Sequence, residues 1–527
     1  MKRVRRLKES KKRKEALRSP SETDLKEISL DLNQNINDIK RTLGGSSDLT
    51  VREIRSGTDS NMHIGIIFID GLADKVMIQE SVIDPLMLDI RKTTLSTNVL
   101  LHSNCYDILK NFSLASGELK QIELFQSLYE HLLSGDTIIL IQGESKGFAV
   151  GSRNWEDRGV DEPTSQTVIR GPKDGFTETL RTNTALLRRK IKDPALWIET
   201  KPIGHKTKTD VALIYLKGVV EEKVLTEVRE RLNKIDTDSI LESAYIEEFI
   251  QDETYTPFPT IFNSERPDTI AAGLLEGRVG IIVDGTPFVL LVPTLFVQFF
   301  QSSEDYYQRF DISIMIRILR YISFFLALLT PSAYIAVTTF HQEMLPTSLL
   351  ISLASQREGT PFPALIEALL MELTFEVLRE AGIRMPRAVG SAISIVGALV
   401  LGQAAVEAGI VSSAMVIVVS ITAISSFVIP SFNFAISIRL LRFPFMFFAA
   451  TFGLFGIIVG LLAMVLHLCS LRSFGVPYMS PMAPLIAQEQ KDSIFRAPIW
   501  NLRRRPSSIT KNDSTRSNTP QPKPDSN

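Results

Sequence analysis

The chain is poor in the residues that build covalent or metal frameworks. Its 527 residues hold two cysteines, Cys105 and Cys469, one in each half. That excludes a disulfide scaffold and fits a reducing interior for the polar half. The six histidines, at positions 63, 102, 131, 205, 341 and 467, have no metal-ligand spacing. Charge of one sign is missing too. Lys and Arg number 58 and Asp and Glu 59, a net charge of −1 that gives no argument for a nucleic-acid partner. No Ser-His-Asp, Cys-His or paired-carboxylate arrangement can be fixed from spacing. The run Gly143–Gly147 lacks the GxxxxGK[ST] of a phosphate loop and reads as a turn between strands. No catalytic residue, metal or cofactor is therefore expected, and the chain is not read as an enzyme.

What the chain does have is apolar length. Ala388 to Pro430 carries a single charge, Glu407, and is long enough to cross a bilayer twice, with its turn near Glu407–Gly409. The mean hydropathy of +0.10 hides a split: charged to about residue 285, apolar from 286 to about 472, then polar and rich in Pro and Ser. Further runs at 286–300, 321–340 and 443–469 predict about four to six spans in all. Pro331 is tolerable in a membrane helix. Gly390, Gly397, Gly402 and Gly409 suit close helix packing, although Gly is common in such helices. Arg439 and Arg442, and Arg503 to Arg505, each read as cytoplasmic loop charge, which conflicts if 443–469 crosses once.

The polar half predicts an α/β cytoplasmic region of two subdomains, joined to an α-helical polytopic membrane domain. Residues 1–24 read as a basic disordered tail with affinity for anionic headgroups, its amino end cytoplasmic. No apolar stretch follows residues 1–18, as a secretion signal would require. Residues 25–57 read as an amphipathic helix and linker, with a start near Ser21 and a stripe of Leu25, Ile28, Leu32, Ile36, Ile39 and Leu43. Apolar runs at 63–69, 137–141, 210–217 and 279–283 predict buried strands. The subdomains are expected at 58–175 and 176–260, a connector at 261–285, the membrane domain at 286–472 and a polar, largely disordered tail at 473–527.

Several separate stretches are more specific. GGSSDLTVRE at 44–53, RGPKDGFTETLRTN at 170–183, SERPD at 264–268, GRVGIIVDGTPFVLLVPTLF at 277–296 and PRAVGSAISIVGALVLGQAAVEAGIVS at 386–412 occur in order. Together they resemble the A subunit of the GerA-type spore germinant receptors, over about residues 25–500. The resemblance implies a multi-pass protein of the spore inner membrane. It implies a transporter-like B subunit and a lipoprotein C subunit as partners, membrane lipids around it, a homo-oligomer formed through the membrane domain, and nutrient sensing that triggers germination by gating ion release. A self-contained secondary transporter and a membrane-anchored cytoplasmic enzyme are the alternatives.

Two groups of residues stand out as sites. Glu372, Glu376 and Glu380 recur at i, i+4 and i+8, gathering three carboxylates on one face of an apolar helix. In a symmetric oligomer they would form acidic rings, which favour cations. The competing reading is an interfacial helix with Glu376–Arg379 and Glu380–Arg384 pairs. The second group, Arg170, Gly171, Pro172, Lys173, Gly175 and Arg181, reads as a contact or coupling loop, or as a structural turn.

Overall fold

The computed structural model describes residues 26–56, 62–84, 119–153, 162–163, 166–384 and 402–522. They divide into two compact units, the first made mostly of residues before 292 and the second mostly of those after.

The first unit is organised on two five-stranded sheets. In the first, β1 (Leu49–Ser56), β2 (Met62–Ile69), β3 (Leu119–Ile122), β4 (Thr137–Ile141) and β5 (Gly147–Val150) lie in the order β1-β2-β4-β5-β3, with every pairing antiparallel. The mixed helix–strand character expected from sequence is present, built by antiparallel pairing rather than crossover units. The sheet is covered on both faces, which is why β2 and β4 are continuously apolar. Ile67 and Ile69 pack with helix α1 (Leu32–Thr42) and helix α2 (Phe125–Leu132), while Ile64, Ile66 and Phe68 pack on the opposite side with Ile78 and Val82. Helix α1 starts later than the stripe suggests. Asp31 caps it by accepting the Asn33 N–H at 3.1 Å, and Ile28 instead sits in an extended stretch beside Leu124. The expected start at Ser21 lies outside the described residues.

The second sheet runs β6-β7-β9-β10-β8, from β6 (Leu196–Ile203), β7 (Thr209–Leu216), β8 (Phe262–Ser264), β9 (Val279–Val283) and β10 (Val289–Val292). Helices α3 (Leu180–Lys190), α4 (Glu222–Asn233), α5 (Ser243–Ile250) and α6 (Pro267–Leu275) accompany it. Two expectations are corrected here. Residues 261–285 are not a connector: they supply β8, α6 and the central strand β9. The apolar run 286–300 is not a membrane span either. It forms β10 and a buried 3-10 turn at Phe296–Phe300. Periodicity cannot separate a short apolar strand from a short apolar helix.

The second unit is a helical bundle. Helix α7 (Phe310–Thr339), with Pro331 inside it, and the stretch Phe432–Ser470 are long and apolar enough to cross a membrane. Between them lie α8 (Thr347–Glu358), α9 (Ala364–Arg384) and α10 (Ser413–Phe427). The first arm of the hairpin expected at 388–430 falls mostly outside the described residues, as do Gly390 and Gly397. The turn is seen at Gly409, whose φ is +67°.

The stretch Phe432–Ser470, α11, is not one crossing. The ring centroids of Phe434 and His467 both lie 6.2 Å from that of Phe258. In a straight helix they would be about 50 Å apart. The chain doubles back at Gly453, which has φ +61° and ψ −142°. A Cβ placed on Gly456 would meet the Phe448 carbonyl, and one on Gly460 the Phe445 ring, so the outgoing arm (432–452) and the return arm (454–470) touch through glycine. This removes the topological conflict in the sequence. Arg439 and Arg442 lie inside the outgoing arm, not in a loop, and both ends of the pair reach the same end of the bundle.

The carboxyl-terminal stretch also departs from expectation. Residues 473–509 pack within the helical unit rather than forming a free tail. Tyr478 is fully buried and donates to the Pro259 carbonyl at 2.9 Å, Ser473 donates to that of Thr260 at 2.8 Å, and Ile509 is buried.

Candidate functional site

The acidic face of α9 is a seam of charge through the bundle, and its partners are internal. Glu367, fully buried, accepts from the backbone N–H and hydroxyl of Ser412 at 3.2 and 2.9 Å. Ser412 caps α10, so the carboxylate meets the positive end of a helix. Glu372, also fully buried, accepts from Arg442, whose Nε donates to the Ala327 carbonyl at 2.9 Å. Glu376 accepts from Arg439 at 2.6 Å. Arg379 donates to Ser426 at 2.8 Å and lies over the rings of Phe375 and Phe427. Glu380 pairs with Arg384 at 2.6 Å on the exposed surface.

These contacts fix directions. Pairing of 367 with 412 and of 379 with 426 makes α9 and α10 parallel. Pairing of 372 with 442 and of 376 with 439 makes α9 antiparallel to the outgoing arm. Within the chain Glu372 is buried and Glu376, 27% exposed, is ion-paired, so neither is the free, water-facing carboxylate that the spacing argument requires of acidic rings. Two arginines three residues apart meet two glutamates four residues apart. Of the expected ordinary pairs, Glu380–Arg384 forms, whereas Glu376 takes Arg439 instead of Arg379. The seam remains incompletely bonded: Glu372 Oε1, Glu376 Oε1, Arg379 Nε, Arg439 Nε and Arg442 Nη2 are buried without a hydrogen-bond partner. Bare polar atoms in an apolar setting cost several kcal/mol each, in order of magnitude. The signal for Arg439 and Arg442 was present in sequence: they are charges in an otherwise uncharged run.

The second candidate group is divided by the structure. Arg266 of the SERPD motif is buried, and its guanidinium donates to the Gln166 and Pro172 carbonyls at 3.2 and 2.9 Å and to Asp268 at 2.8 Å. Phe176 N–H donates to the Glu265 carbonyl at 2.8 Å. So two motifs far apart in sequence are one structure, with SERPD holding the RGPKDG turn from Pro172 onward. Gly175 is buried there, and Lys173 lies on the surface 3.4 Å from Glu162. Residues Val168–Gly171 belong instead to the helical unit. Arg170 is exposed, and a Cβ on Gly171 would come within 2.6 Å of the Tyr307 ring, just before α7.

Arg181 leaves the loop entirely. It donates to the Ser47 carbonyl at 3.3 Å, next to a fully buried join in the first unit. There Arg188, fully buried, makes a two-pronged bond to Asp48 at 2.8 and 3.0 Å and donates to the Leu196 carbonyl at 2.8 Å. Trp197 donates to the Thr42 carbonyl at 3.2 Å and covers Gly44. The GGSSD motif is thus the junction between the two sheets, a role the sequence reading did not assign to it. Among the described residues no group of His, Cys, Asp and Glu could hold a metal.

The chain matches the family described as Bacillus/Clostridium GerA spore germination protein across residues 37–508. It belongs to that family. It is 52% identical over 489 residues to spore germination protein KA of Bacillus subtilis (strain 168), covering 93% of this chain and 88% of that one. With spore germination protein GerLA of Bacillus cereus it shares 38% identity, covering 93% and 98%. It is also 46% identical, covering 92% of both chains, to a Bacillus subtilis (strain 168) protein called uncharacterized membrane protein YfkQ. Among solved structures it is similar to the crystallised N-terminal domain of the A subunit of the Bacillus megaterium spore germinant receptor GerK3. That likeness is 39% identical and covers 52% of this chain and 99% of that one, with a TM-score of 0.40.

Proposed function

We propose that the chain is the A subunit of a nutrient germinant receptor of the spore inner membrane, with its first unit cytoplasmic and its bundle crossing the membrane several times. In this reading it works with a transporter-like B subunit and a lipoprotein C subunit, assembles with copies of itself through the bundle, and starts germination by gating ion release. No catalysis is part of the reading.

Family membership across both units is the observation that carries it. The bundle adds a physical reason for gating. Its outward faces expose Met315, Leu319, Phe455 and Leu462, while Arg317, Glu367, Glu372 and Arg442 turn inward, as a lipid-embedded structure favours. The seam of α9 then has two states available, ion pairs closed on the outgoing arm or carboxylates released to water and cations. The loop Val168–Gly171 is the proposed coupling element, since Gly171 abuts Tyr307 before α7.

Replacing both Glu372 and Glu376 by Gln removes the seam's negative charge at constant size. Spores carrying that chain at parental level are expected to release potassium at an altered rate on nutrient addition, or without nutrient. Release identical to the parent would refute the gating role of the seam.

A further inference from the structure

The carboxyl-terminal segment 485–504 carries a surface unlike the rest of the chain's end. Leu485, Phe495 and Ile499 are exposed, 76%, 54% and 61% respectively, and Trp500 is half-buried beside them. A polar tail in water has no reason to present three large apolar side chains within fifteen positions. The charges of the segment are sorted as well. Its acids are engaged within the chain: Asp492 accepts from the buried Arg317 at 3.0 Å and from the Tyr306 hydroxyl at 3.0 Å, and Glu489 accepts the Ser507 N–H at 2.7 Å on the surface. Its bases turn outward: Lys491, Arg503 and Arg504 are exposed. Arg503 donates to the Trp500 carbonyl and Arg504 to Gln488, and neither forms an ion pair among the described residues.

The level of this surface is fixed within the helical unit. Arg317 holds both Asp492 and the Ser493 carbonyl, and Arg496 lies over the Tyr306 ring. Residues 492–496 therefore sit beside the first two turns of α7. At that height α7 itself exposes Ile312, Met315 and Leu319, 47%, 75% and 52% respectively. The apolar residues of the segment thus continue the outward apolar band of the bundle at its edge. Arg503 and Arg504 follow directly after the aromatic residue, where a bilayer has headgroups.

We propose that residues 485–504 form a docking surface for the bilayer interface, with Phe495, Ile499 and Trp500 in the acyl–headgroup boundary and Lys491, Arg503 and Arg504 on anionic phospholipid headgroups. The surface makes the carboxyl end a lipid-sensing part of the membrane unit. Since Asp492 ties it to the base of α7, lipid charge has a direct mechanical path to that helix. The proposal rests on the bundle crossing a membrane but not on the receptor role, and lipid contact at Trp500 tests it separately from nutrient response.

The test uses the full chain in nanodiscs of phosphatidylcholine, with or without one-third phosphatidylglycerol, doped with lipid brominated near the headgroup. Bromine quenches tryptophan only at contact, and the difference between the parent and Trp500→Phe isolates Trp500. The expected result is quenching of Trp500 in both compositions, stronger with phosphatidylglycerol. Phe495→Glu with Ile499→Glu, both at exposed positions, should abolish it. Arg503→Gln with Arg504→Gln should keep the quenching but lose the preference for phosphatidylglycerol, by about fivefold per arginine. No Trp500 quenching in either composition would overturn the proposal and assign the surface to a protein partner. Quenching without dependence on phosphatidylglycerol or on the two arginines would overturn the headgroup assignment.

Discussion

Both units bury an arginine–carboxylate pair completely, and the two pairs are built differently. Arg188 in the sheet unit spends its donors on Asp48 and the Leu196 carbonyl. In the helical unit Arg442 reaches Glu372 and the Ala327 carbonyl, but its Nη2 and one oxygen of Glu372 stay unpaired. Burying an ion pair gains little unless the remaining lone pairs and protons are satisfied. The first pair meets that condition and acts as a weld between two sheets. The second does not, and its buried, apolar surroundings leave the deficit uncompensated within the chain. A fully bonded pair fixes one geometry, whereas an underbonded one leaves a second geometry accessible.

The largest expected effect tests whether the weld defines a folding unit. A fragment of residues 26–291 is expected to be soluble and to melt cooperatively. Ending it at residue 260 removes β8, β9 and β10, more than half of the second sheet's strands. That shorter fragment is expected to be insoluble or to lack a thermal transition by circular dichroism. A folded, cooperative 26–260 fragment would break the assignment of β9 as the sheet's centre.

Next, Arg188→Ala in the 26–291 fragment leaves Asp48 buried without its partner, and is expected to cost about 3–5 kcal/mol in urea unfolding. The matching change in the helical unit sharpens the comparison. Replacing Glu372 and Arg442 together by Met removes the unpaired Nη2 and Oε1 but also the donor to the Ala327 carbonyl, so the detergent-solubilised chain should change by no more than about 1 kcal/mol. Replacing Asp48 and Arg188 together by apolar residues should still destabilise, because the Leu196 carbonyl loses its donor. Equal outcomes for the two double variants would remove the distinction between weld and latch.

A smaller effect is expected at the turn that carries Asp48. Gly44 has φ +64°, and a Cβ there would come within 2.1–2.6 Å of the Trp197 ring. Gly44→Ala should cost about 1–3 kcal/mol in the same fragment, through backbone strain and overpacking together. Gly45, with nearly the same φ and nothing within 4 Å, should lose only the strain part. Similar melting curves for the two variants would show that the ring contact contributes nothing.

The legibility of these features in sequence follows from how far each signal reaches. Strands β2, β4, β7 and β9 are uninterrupted apolar runs bounded by turn residues, and local pattern found all four. The stripe of α1 was equally plain. The hairpin at Gly453 was not, since glycines recur throughout the apolar half and nothing local distinguishes the one at the turn. Arg439 and Arg442 were read as loop charge because a charge rule applied to sequence cannot see a carboxylate on another helix. Arg188 was hidden by its neighbours: Arg189 is exposed, Lys190 pairs with Asp174 at 2.8 Å, and only the register of α3 turns Arg188 inward. The acidic residues of α9 were located correctly, but which groups they face is a tertiary fact.

The smallest expected effect is a pH dependence in the sheet unit, away from the weld. Burial pushes the carboxyl of Glu247 on α5 up to about 7, against an opposing contact from Asn263 and with a minor push from Glu242. The folded chain then holds a proton there that the unfolded chain releases near the ordinary glutamate value of about 4.3. Stability is fully present below that value, falls as pH rises through the window from about 4.3 to about 7, and levels off above it. Glu247 is only half-buried, so solvent screening limits the effect to about 1 kcal/mol. Glu247→Gln imitates the protonated side chain at every pH. In the 26–291 fragment it should raise the melting temperature at pH 8 and leave it unchanged at pH 4, while Arg188→Ala destabilises at both. A Glu247→Gln shift of equal size at the two pH values would mean that the side chain acts through packing, with its carboxyl ionised in the folded unit throughout.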